Sequence, residues 1–265
     1  MKNKIPYGLH QLDDDDILAV VDILKSSHIT QGQTTDDFGQ ALADFAGAKY
    51  GLAVSNGTAA LHLSVAALGI GPGDEVITTP MTFCATANAV LYQGADVKFV
   101  DIDEKTLNID PDLIEEKITK HTKAIIPVDF CGHPANLPKI KEIADKYNLK
   151  IIEDAAHSIG STYTHKGKKH YCGDGIHADF CTYSFHPVKH ITTGEGGAIL
   201  TNDEEQYHKL SLLRKHGIDR REEMFSEKDR IGSWIYEMDA LGFNYRITDF
   251  QAALGISQLK KLNAI

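Results

Sequence analysis

Short apolar runs alternate with amphipathic segments along most of the chain. Extended structure is predicted at residues 51–55, 76–79, 97–100, 124–128, 150–153, 180–185 and 198–201. Most of these runs are continuously apolar, which is typical of a parallel sheet buried on both faces. Helices are predicted at residues 12–24, 58–68, 85–91, 111–118, 137–147 and 248–262. Strands that alternate with helices predict an α/β protein of three layers, with a mostly parallel sheet between two layers of helices.

The first and last predicted helices show their apolar residues at helical spacing. The first begins with consecutive aspartates, which favour a helix N-terminus, and its apolar residues are Ile17, Leu18, Val20, Val21 and Leu24. The apolar stripe of the last helix consists of Phe250, Leu254, Ile256, Leu259 and Leu262. Both helices are therefore predicted to be amphipathic.

The composition is that of a globular protein, with 42% hydrophobic and 24% charged residues in a chain of 265. A formal net charge of −10 argues against a nucleic-acid partner and against binding to an anionic membrane. It leaves room for a small anionic ligand, because such a ligand needs only a local cationic pocket. No apolar stretch has the length of a membrane span, and no export signal is visible at the start, so we expect a cytoplasmic protein.

The cysteines and histidines give no sign of a metal site. The four cysteines contain no Cys-x-x-Cys pair, and the thirteen histidines follow no ligand spacing. We therefore expect reduced, mostly buried thiols and no bound metal.

Lys189 and Asp154 are the residues whose surroundings indicate chemistry. Lys189 lies between the predicted strand 180–185 and a glycine-rich turn, and Asp154 ends the apolar run before it. Open α/β sheets bind their ligands at the carboxyl ends of their strands. An amine there can form a Schiff base with an aldehyde cofactor, and a carboxylate can hold the ring nitrogen of that cofactor protonated. The alternatives are a solvated lysine and an ordinary salt bridge from Asp154 to a neighbouring cation.

Residues 55–60, Ser-Asn-Gly-Thr-Ala-Ala, join a predicted strand to a predicted helix. Small residues at a helix N-terminus allow its free amides to approach a phosphate. Taken alone, the same residues also fit an ordinary turn with a capping side chain. The glycines at 69–73 follow a helix and precede a strand, which is the wrong order for a dinucleotide-binding loop.

Three ordered motifs resemble those of one enzyme family. They are Glu-Asp-Ala-Ala-His-Ser at 153–158, the segment from Ser184 through Lys189 to Gly-Glu-Gly-Gly at 194–197, and Gly-Phe-Asn-Tyr-Arg at 242–246. They are similar to motifs of the DegT/DnrJ/EryC1/StrS sugar aminotransferases, which use pyridoxal 5'-phosphate (PLP) and have the aspartate-aminotransferase fold. The resemblance implies the three-layer α/β/α large domain of that fold.

The resemblance also implies roles for individual residues. Lys189 would be the catalytic lysine that carries the cofactor. The remaining cofactor-binding residues would be Gly57, Thr58, Ala59, Phe83, Asp154, His157 and Ser184, with Asn244 supplied by the partner subunit of a homodimer. Sugar-binding residues would be Tyr7, Thr30, Gln31 and His186.

The segments 127–133 and 30–32 resemble family members that aminate C4 of a UDP-linked 4-keto-6-deoxy-N-acetylhexosamine in pseudaminic acid biosynthesis. The amino donor implied is L-glutamate. Two alternatives are a PLP-dependent sugar dehydratase and a non-catalytic PLP-binding regulatory domain. The family's dehydratases have histidine where this chain has Lys189, so the resemblance favours amino transfer.

The family resemblance also predicts how the chain is divided. Residues 1–247 are expected to form the PLP-binding large domain. Residues 248–265 are expected to begin the helix that leads into a small C-terminal domain absent from this sequence.

Overall fold

A computed structural model describes residues 8–219 and 236–264 of the chain. Within these residues a seven-stranded sheet forms the centre of the molecule. Its strands are β1 (Tyr50–Val54), β2 (Glu75–Thr78), β3 (Asp96–Phe99), β4 (Thr122–Ile126), β5 (Lys150–Asp154), β8 (Phe180–Ser184) and β9 (Gly197–Thr201). The hairpin of β6 (Thr162–His165) and β7 (Lys168–Tyr171) and the short pair β10 (Ile218–Asp219) and β11 (Glu237–Met238) lie outside this sheet.

The strand order is β1-β9-β8-β5-β4-β2-β3. Within this sheet β9 runs antiparallel to both of its neighbours, and the other adjacent pairs are parallel. The mostly parallel sheet predicted from the apolar runs is confirmed. Because β9 opposes its neighbours, β1 and β8 run in the same direction and end at the same edge of the sheet.

The described helices are α1 (Asp14–Lys25), α2 (Gln33–Ala46), α3 (Gly57–Ala67), α4 (Cys84–Tyr92), α5 (Leu137–Tyr147), α6 (Glu204–Arg214) and α7 (Asp249–Lys261). Alternate residues of each buried strand face opposite layers. On β5, Ile152 packs in the cluster formed with α3, α4 and α6, whereas Ile151 packs with α5. A third cluster joins β8 and β9 to α2 and α7. The predicted three-layer arrangement is confirmed. No described helix is long and apolar enough to cross a membrane.

The helix predicted at 111–118 is wrong. The segment forms two single 3-10 turns, Pro111–Leu113 and Glu115–Lys117, with hydrogen bonds between residues three apart. Starting a helix is costly, and a segment this short adds too few α-helical bonds to offset that cost. Ile114, which is fully buried between the two turns, fixes them against the sheet.

Candidate active site

A cavity of about 650 Å³ lies where β5 and β8 end and where α3 and α4 begin. The predicted site residues that line it are Gly57, Thr58, Phe83, Asp154, His157, Ser184, His186 and Lys189. The chain brings them together because the parallel strands β5 and β8 are neighbours and the loops that follow them start from one edge. Residues from four separate segments of the sequence thus share one cavity.

Asp154 ends β5 and is 4% exposed. The Thr86 hydroxyl of α4 donates a 2.7 Å hydrogen bond to its Oδ2, and the Ala156 amide donates one of 3.3 Å to its Oδ1. Burial raises the pKa of Asp154, while these two hydrogen bonds oppose the rise. Among the described residues, no lysine, arginine or histidine forms an ion pair with this carboxylate. A buried acid in this state is well placed to accept a cationic ligand group.

Lys189 lies in the loop after β8 and is half-buried. Its backbone amide donates to the carbonyl of His186, which closes a turn in the part of the loop that lines the cavity. Burial lowers the pKa of the Lys189 amine, and the negative charge of Asp154 opposes this. A lowered pKa makes the neutral, nucleophilic form of the amine easier to reach.

The N-terminus of α3 faces Ser184. Asn56 caps the helix, and its Oδ1 accepts a 2.8 Å hydrogen bond from the Ala59 amide. The amides of Gly57 and Thr58 have no acceptor among the described residues. A Cβ on Gly57 would lie 2.9 Å from Cβ of Ser184, so the backbone passes directly beside that serine. Two free amides and a hydroxyl form a cradle of the kind that binds phosphate.

Aromatic rings border the rest of the cavity. Phe83 is the N-cap residue of α4, and the residue is 70% exposed although it lines the cavity. Phe130 and His157 pack edge to face, with ring centroids 6.4 Å apart. Burial lowers the pKa of His157. His186 lines the cavity with an exposed side chain.

Several predicted site residues lie elsewhere. Ala59 does not line the cavity, and its amide is already bonded to Asn56. Thr30 pairs with Thr248 beside the start of α7, and Gln31 has a left-handed backbone at φ 56°. Asn244 is exposed, bridges to Lys215 and is also absent from the cavity wall. Tyr7 falls outside the described residues.

Thr86 is the functional contact that the sequence did not reveal. Its hydroxyl reaches Asp154 from a helix 68 positions earlier in the chain. The one sign of this contact in the sequence was the spacing of Thr82 and Thr86, which lie four residues apart, on either side of the predicted site residue Phe83. Their hydroxyls lie 2.7 Å apart.

Solved structures of aminotransferases share this fold. PseC of Helicobacter pylori, described as an aminotransferase in the biosynthesis of pseudoaminic acid, superposes with a TM-score of 0.87 at 34% identity over 99% of this chain and 67% of its own. The PLP form of Spr1654 of Streptococcus pneumoniae superposes with a TM-score of 0.87 at 31% identity, over 98% of this chain and 67% of its own. The predicted fold class is confirmed.

The chain belongs to the DegT/DnrJ/EryC1/StrS aminotransferase family, whose model matches residues 10–265. A UDP-4-amino-4,6-dideoxy-N-acetyl-beta-L-altrosamine transaminase of Campylobacter jejuni is 44% identical over 262 residues, which is 98% of this chain and 65% of that protein. The chain spans between 63% and 66% of the length of this and four other curated relatives. The division at residue 247 stays a prediction.

Proposed function

We propose that this chain forms the cofactor-binding part of a PLP-dependent aminotransferase that acts on a nucleotide-linked keto sugar. The observation that carries the proposal is the placement of Asp154 and Lys189 in one cavity. Asp154 is a buried acid that forms no ion pair with any described cation, and Lys189 is a half-buried amine whose pKa is lowered by burial. Family membership and the names of the relatives support the same reaction class.

The residues present fit PLP, because the cavity offers a separate group for each part of that molecule. Asp154 would bind the protonated ring nitrogen, and Thr86 would keep the carboxylate ionised and oriented. The Gly57 and Thr58 amides and the Ser184 hydroxyl would bind the phosphate. Phe83 would stack on the ring, and His157 would hydrogen-bond at its edge. Since the Ala59 amide is occupied by Asn56, we give Ala59 no contact with phosphate.

When bound, PLP supplies an electron sink and an acceptor for the amino group. Lys189 Nζ would hold the cofactor between turnovers. Once released and neutral, Nζ would take a proton from the α-carbon of the amino donor, and it would move a proton to or from the sugar carbon that receives the amino group. Asp154 would keep the proton on the ring nitrogen throughout. The walls contributed by Val128, Phe130 and Ala156 would limit the access of water.

We propose C4 of a UDP-linked 4-keto-6-deoxy-N-acetylhexosamine as the amino acceptor and L-glutamate as the donor. Segments 127–133 and 30–32 and the names of two relatives support this sugar. His186, on the cavity wall, would contact the sugar. Roles for Tyr7, Thr30 and Gln31 in sugar binding stay predictions, as does a cytoplasmic location.

We also propose a homodimer whose sites are completed by Asn244 of each partner subunit. Asn244 is exposed and lies outside the cavity of its own chain, as a residue directed at a second copy would. An isologous dimer would then contain two shared sites.

Absorbance of the purified full-length protein with PLP tests the reaction class. We expect a visible band that disappears in Lys189→Ala and that L-glutamate bleaches in the wild type. A dehydratase would lack the lysine-dependent band, and a regulatory domain would keep the band when glutamate is added. Mass spectrometry of products from a panel of UDP- and dTDP-linked 4-keto sugars then identifies the acceptor. Turnover of a dTDP-linked sugar alone would overturn the proposed UDP-linked substrate.

A further inference from the structure

Two buried acids lie behind Asp154, on the side of the sheet away from the cavity. Glu153 precedes Asp154 on β5, so its side chain points to the opposite face. Asp129 follows β4, and its amide donates to the Asp154 carbonyl. Asp129 is 0% exposed and Glu153 is 1% exposed. One carboxylate oxygen of each and the sulfur of Cys172 lie within 4.8 Å of one another.

The two carboxylates are not equally well bonded. Asp129 accepts hydrogen bonds on both oxygens, from the Ser158 hydroxyl at 2.6 Å and from the Ala135 amide at 2.8 Å. Glu153 accepts one on Oε2, from the Gly173 amide at 3.0 Å. Its other oxygen, Oε1, is buried and has no partner among the described residues. The ionised form is therefore better stabilised at Asp129, and a proton is more easily accommodated on Glu153.

Within residues 8–219 and 236–264, no charge of opposite sign compensates the pair. Neither acid forms an ion pair with a described lysine, arginine or histidine. The titratable groups that face them are Cys172 after β7, Cys181 and Tyr183 on β8, Tyr163 on β6, and Asp154. Burial raises the pKa of both cysteines and of both tyrosines, so these four groups are neutral near pH 7. Two bare carboxylates at this distance in a dry site would be strongly unfavourable.

We propose that Glu153 stays protonated at neutral pH and hydrogen-bonds to ionised Asp129, so that the pair holds a single negative charge that favours a cation at Asp154. The proposal rests on the proposed function in one respect, since the cation is the protonated ring nitrogen of PLP. Asp129 and Glu153 would contact neither cofactor nor substrate and act as positioning residues. Burial and the nearby Asp129 charge both raise the pKa of Glu153 well above its ordinary value, which agrees with this arrangement.

The same pair would also hold the loop that carries His157. The Ser158 hydroxyl donates to Asp129, and the Ser158 amide donates to the Ala155 carbonyl. The turn after Asp154 is therefore held in place by a bond to the buried pair. A charge on Asp129 strengthens the Ser158 bond, because hydrogen bonds to ionised acceptors are stronger than those to neutral ones.

The proton can be tested on the full-length protein without cofactor. Glu153→Gln is the matched variant, because glutamine has the shape and the neutral charge of a protonated glutamate. Infrared difference spectra between wild type and E153Q at pH 7 should show the carbonyl stretch of a protonated carboxylic acid, present only in the wild type. Its absence would overturn the proposal, whatever the enzyme's reaction proves to be.

The pH dependence of stability gives a second test. A carboxyl group whose pKa is higher in the folded state binds its proton more tightly there. Its contribution to stability is therefore lost as the pH rises from about 4.5, the pKa of the group in the unfolded chain, through its higher pKa in the folded protein. In urea titrations the wild type should lose stability relative to E153Q across that range. An identical pH slope for the two proteins would contradict a shared proton.

Binding of PLP tests the effect on the site. We expect E153Q to bind PLP with a dissociation constant within about twofold of the wild type, and D129N to bind it about tenfold more weakly, as for a change of one pKa unit. The pH at which the visible band of the bound cofactor titrates should shift in D129N and not in E153Q. Equal shifts in both variants would mean that both acids are ionised, which would overturn the proposal.

Two controls keep these outcomes separate. If D129N does not fold, the infrared band and the stability slope of wild type and E153Q still decide the question. If metal analysis of the purified wild type finds one bound metal ion per chain that E153Q lacks, a metal rather than a proton neutralises the pair, and the proposal is wrong. Loss of the visible band in the wild type itself would instead refute the proposed function.

Discussion

The hydroxyl of Thr86 donates a 2.7 Å hydrogen bond to Oδ2 of Asp154, and this bond joins the first turn of α4 to the end of β5. Burial raises the pKa of Asp154, and this hydrogen bond is one of the interactions that oppose the rise by favouring the ionised form. We therefore expect a change at Thr86 to alter the charge of Asp154.

Replacing Thr86 by valine should raise the pKa of Asp154 further and destabilise the folded protein. Valine keeps the shape of threonine but removes a bond to a charged acceptor, a loss of about 1.5–3 kcal/mol. The loss should be largest at neutral pH and should shrink as the pH falls through the pKa of Asp154 in the folded protein, which burial raises above the ordinary value of 3.8, because the protonated carboxyl is no longer a charged acceptor. Urea titrations of the cofactor-free protein at several pH values measure it. Thr86→Ser, which keeps the hydroxyl, is the control, and a serine variant as unstable as the valine variant would argue against the bond.

Asp154→Asn should leave the fold intact and slow amino transfer by at least about a hundredfold, as the loss of a key electrostatic contact does. An amide cannot hold the ring nitrogen protonated. Single-turnover assays with L-glutamate measure the effect, and circular dichroism checks the fold. Wild-type rates in Asp154→Asn would refute the assigned role.

Lys189→Ala and Lys189→Arg should both abolish turnover while the protein remains folded. Only a primary amine at this position can hold the cofactor covalently and move the proton, a role that contributes about 10²–10⁴-fold or more. Arginine retains the positive charge but cannot hold the cofactor covalently, so the arginine variant tests whether a positive charge alone is sufficient. Appreciable turnover in the arginine variant would show that Lys189 acts only as a cation.

Gly57→Ala should weaken PLP binding by about tenfold, although alanine is the better helix former. Its Cβ would come within 2.9 Å of Cβ of Ser184, so the cradle would have to open. Fluorescence titration with PLP measures the change. Ala66→Gly, in the last turn of the same helix, is the control for altered helix stability. Unchanged affinity in Gly57→Ala would place the phosphate elsewhere.

Mixed dimers test whether Asn244 completes the partner's site. Asn244→Ala should weaken cofactor binding by about tenfold or more, the loss of a charge-assisted hydrogen bond. When Asn244→Ala subunits are mixed with Lys189→Ala subunits, one of the two sites in a mixed dimer has both residues intact, so activity should return. Activity no greater than that of the separate variants would contradict a shared site.

The sequence was sufficient to predict the seven strands of the central sheet and the positions of Lys189 and Asp154 at its ligand edge. Lys189 and Asp154 each follow an apolar run, and in a parallel sheet that position alone places a residue at the ligand edge. The antiparallel direction of β9 could not be predicted, since residues 197–201 are as apolar as the parallel strands of the same sheet. The Thr86–Asp154 bond and the Asp129–Glu153 pair were also missed, because each joins residues brought together by the tertiary fold.

The first helix shows a different limit. Its apolar residues predict a buried stripe, yet Ile17, Leu18 and Leu24 are each more than half exposed in the described structure. α1 packs on α7 instead through the buried side chain of Asp16. Asp16 accepts a hydrogen bond from Gln258 and forms an ion pair with Lys261. Periodicity revealed the helix but not the face that its neighbour covers.

The antiparallel strand β9 also sets an order of assembly during synthesis. It lies between β1 and β8. Gly57, after β1, and Ser184, at the end of β8, can therefore face each other only after Gly197–Thr201 has left the ribosome and paired with both strands. A nascent chain that ends before Thr201 has the segments of the site but not their arrangement. Pairing across such a sequence separation is slow, so the cavity is expected to close late in folding.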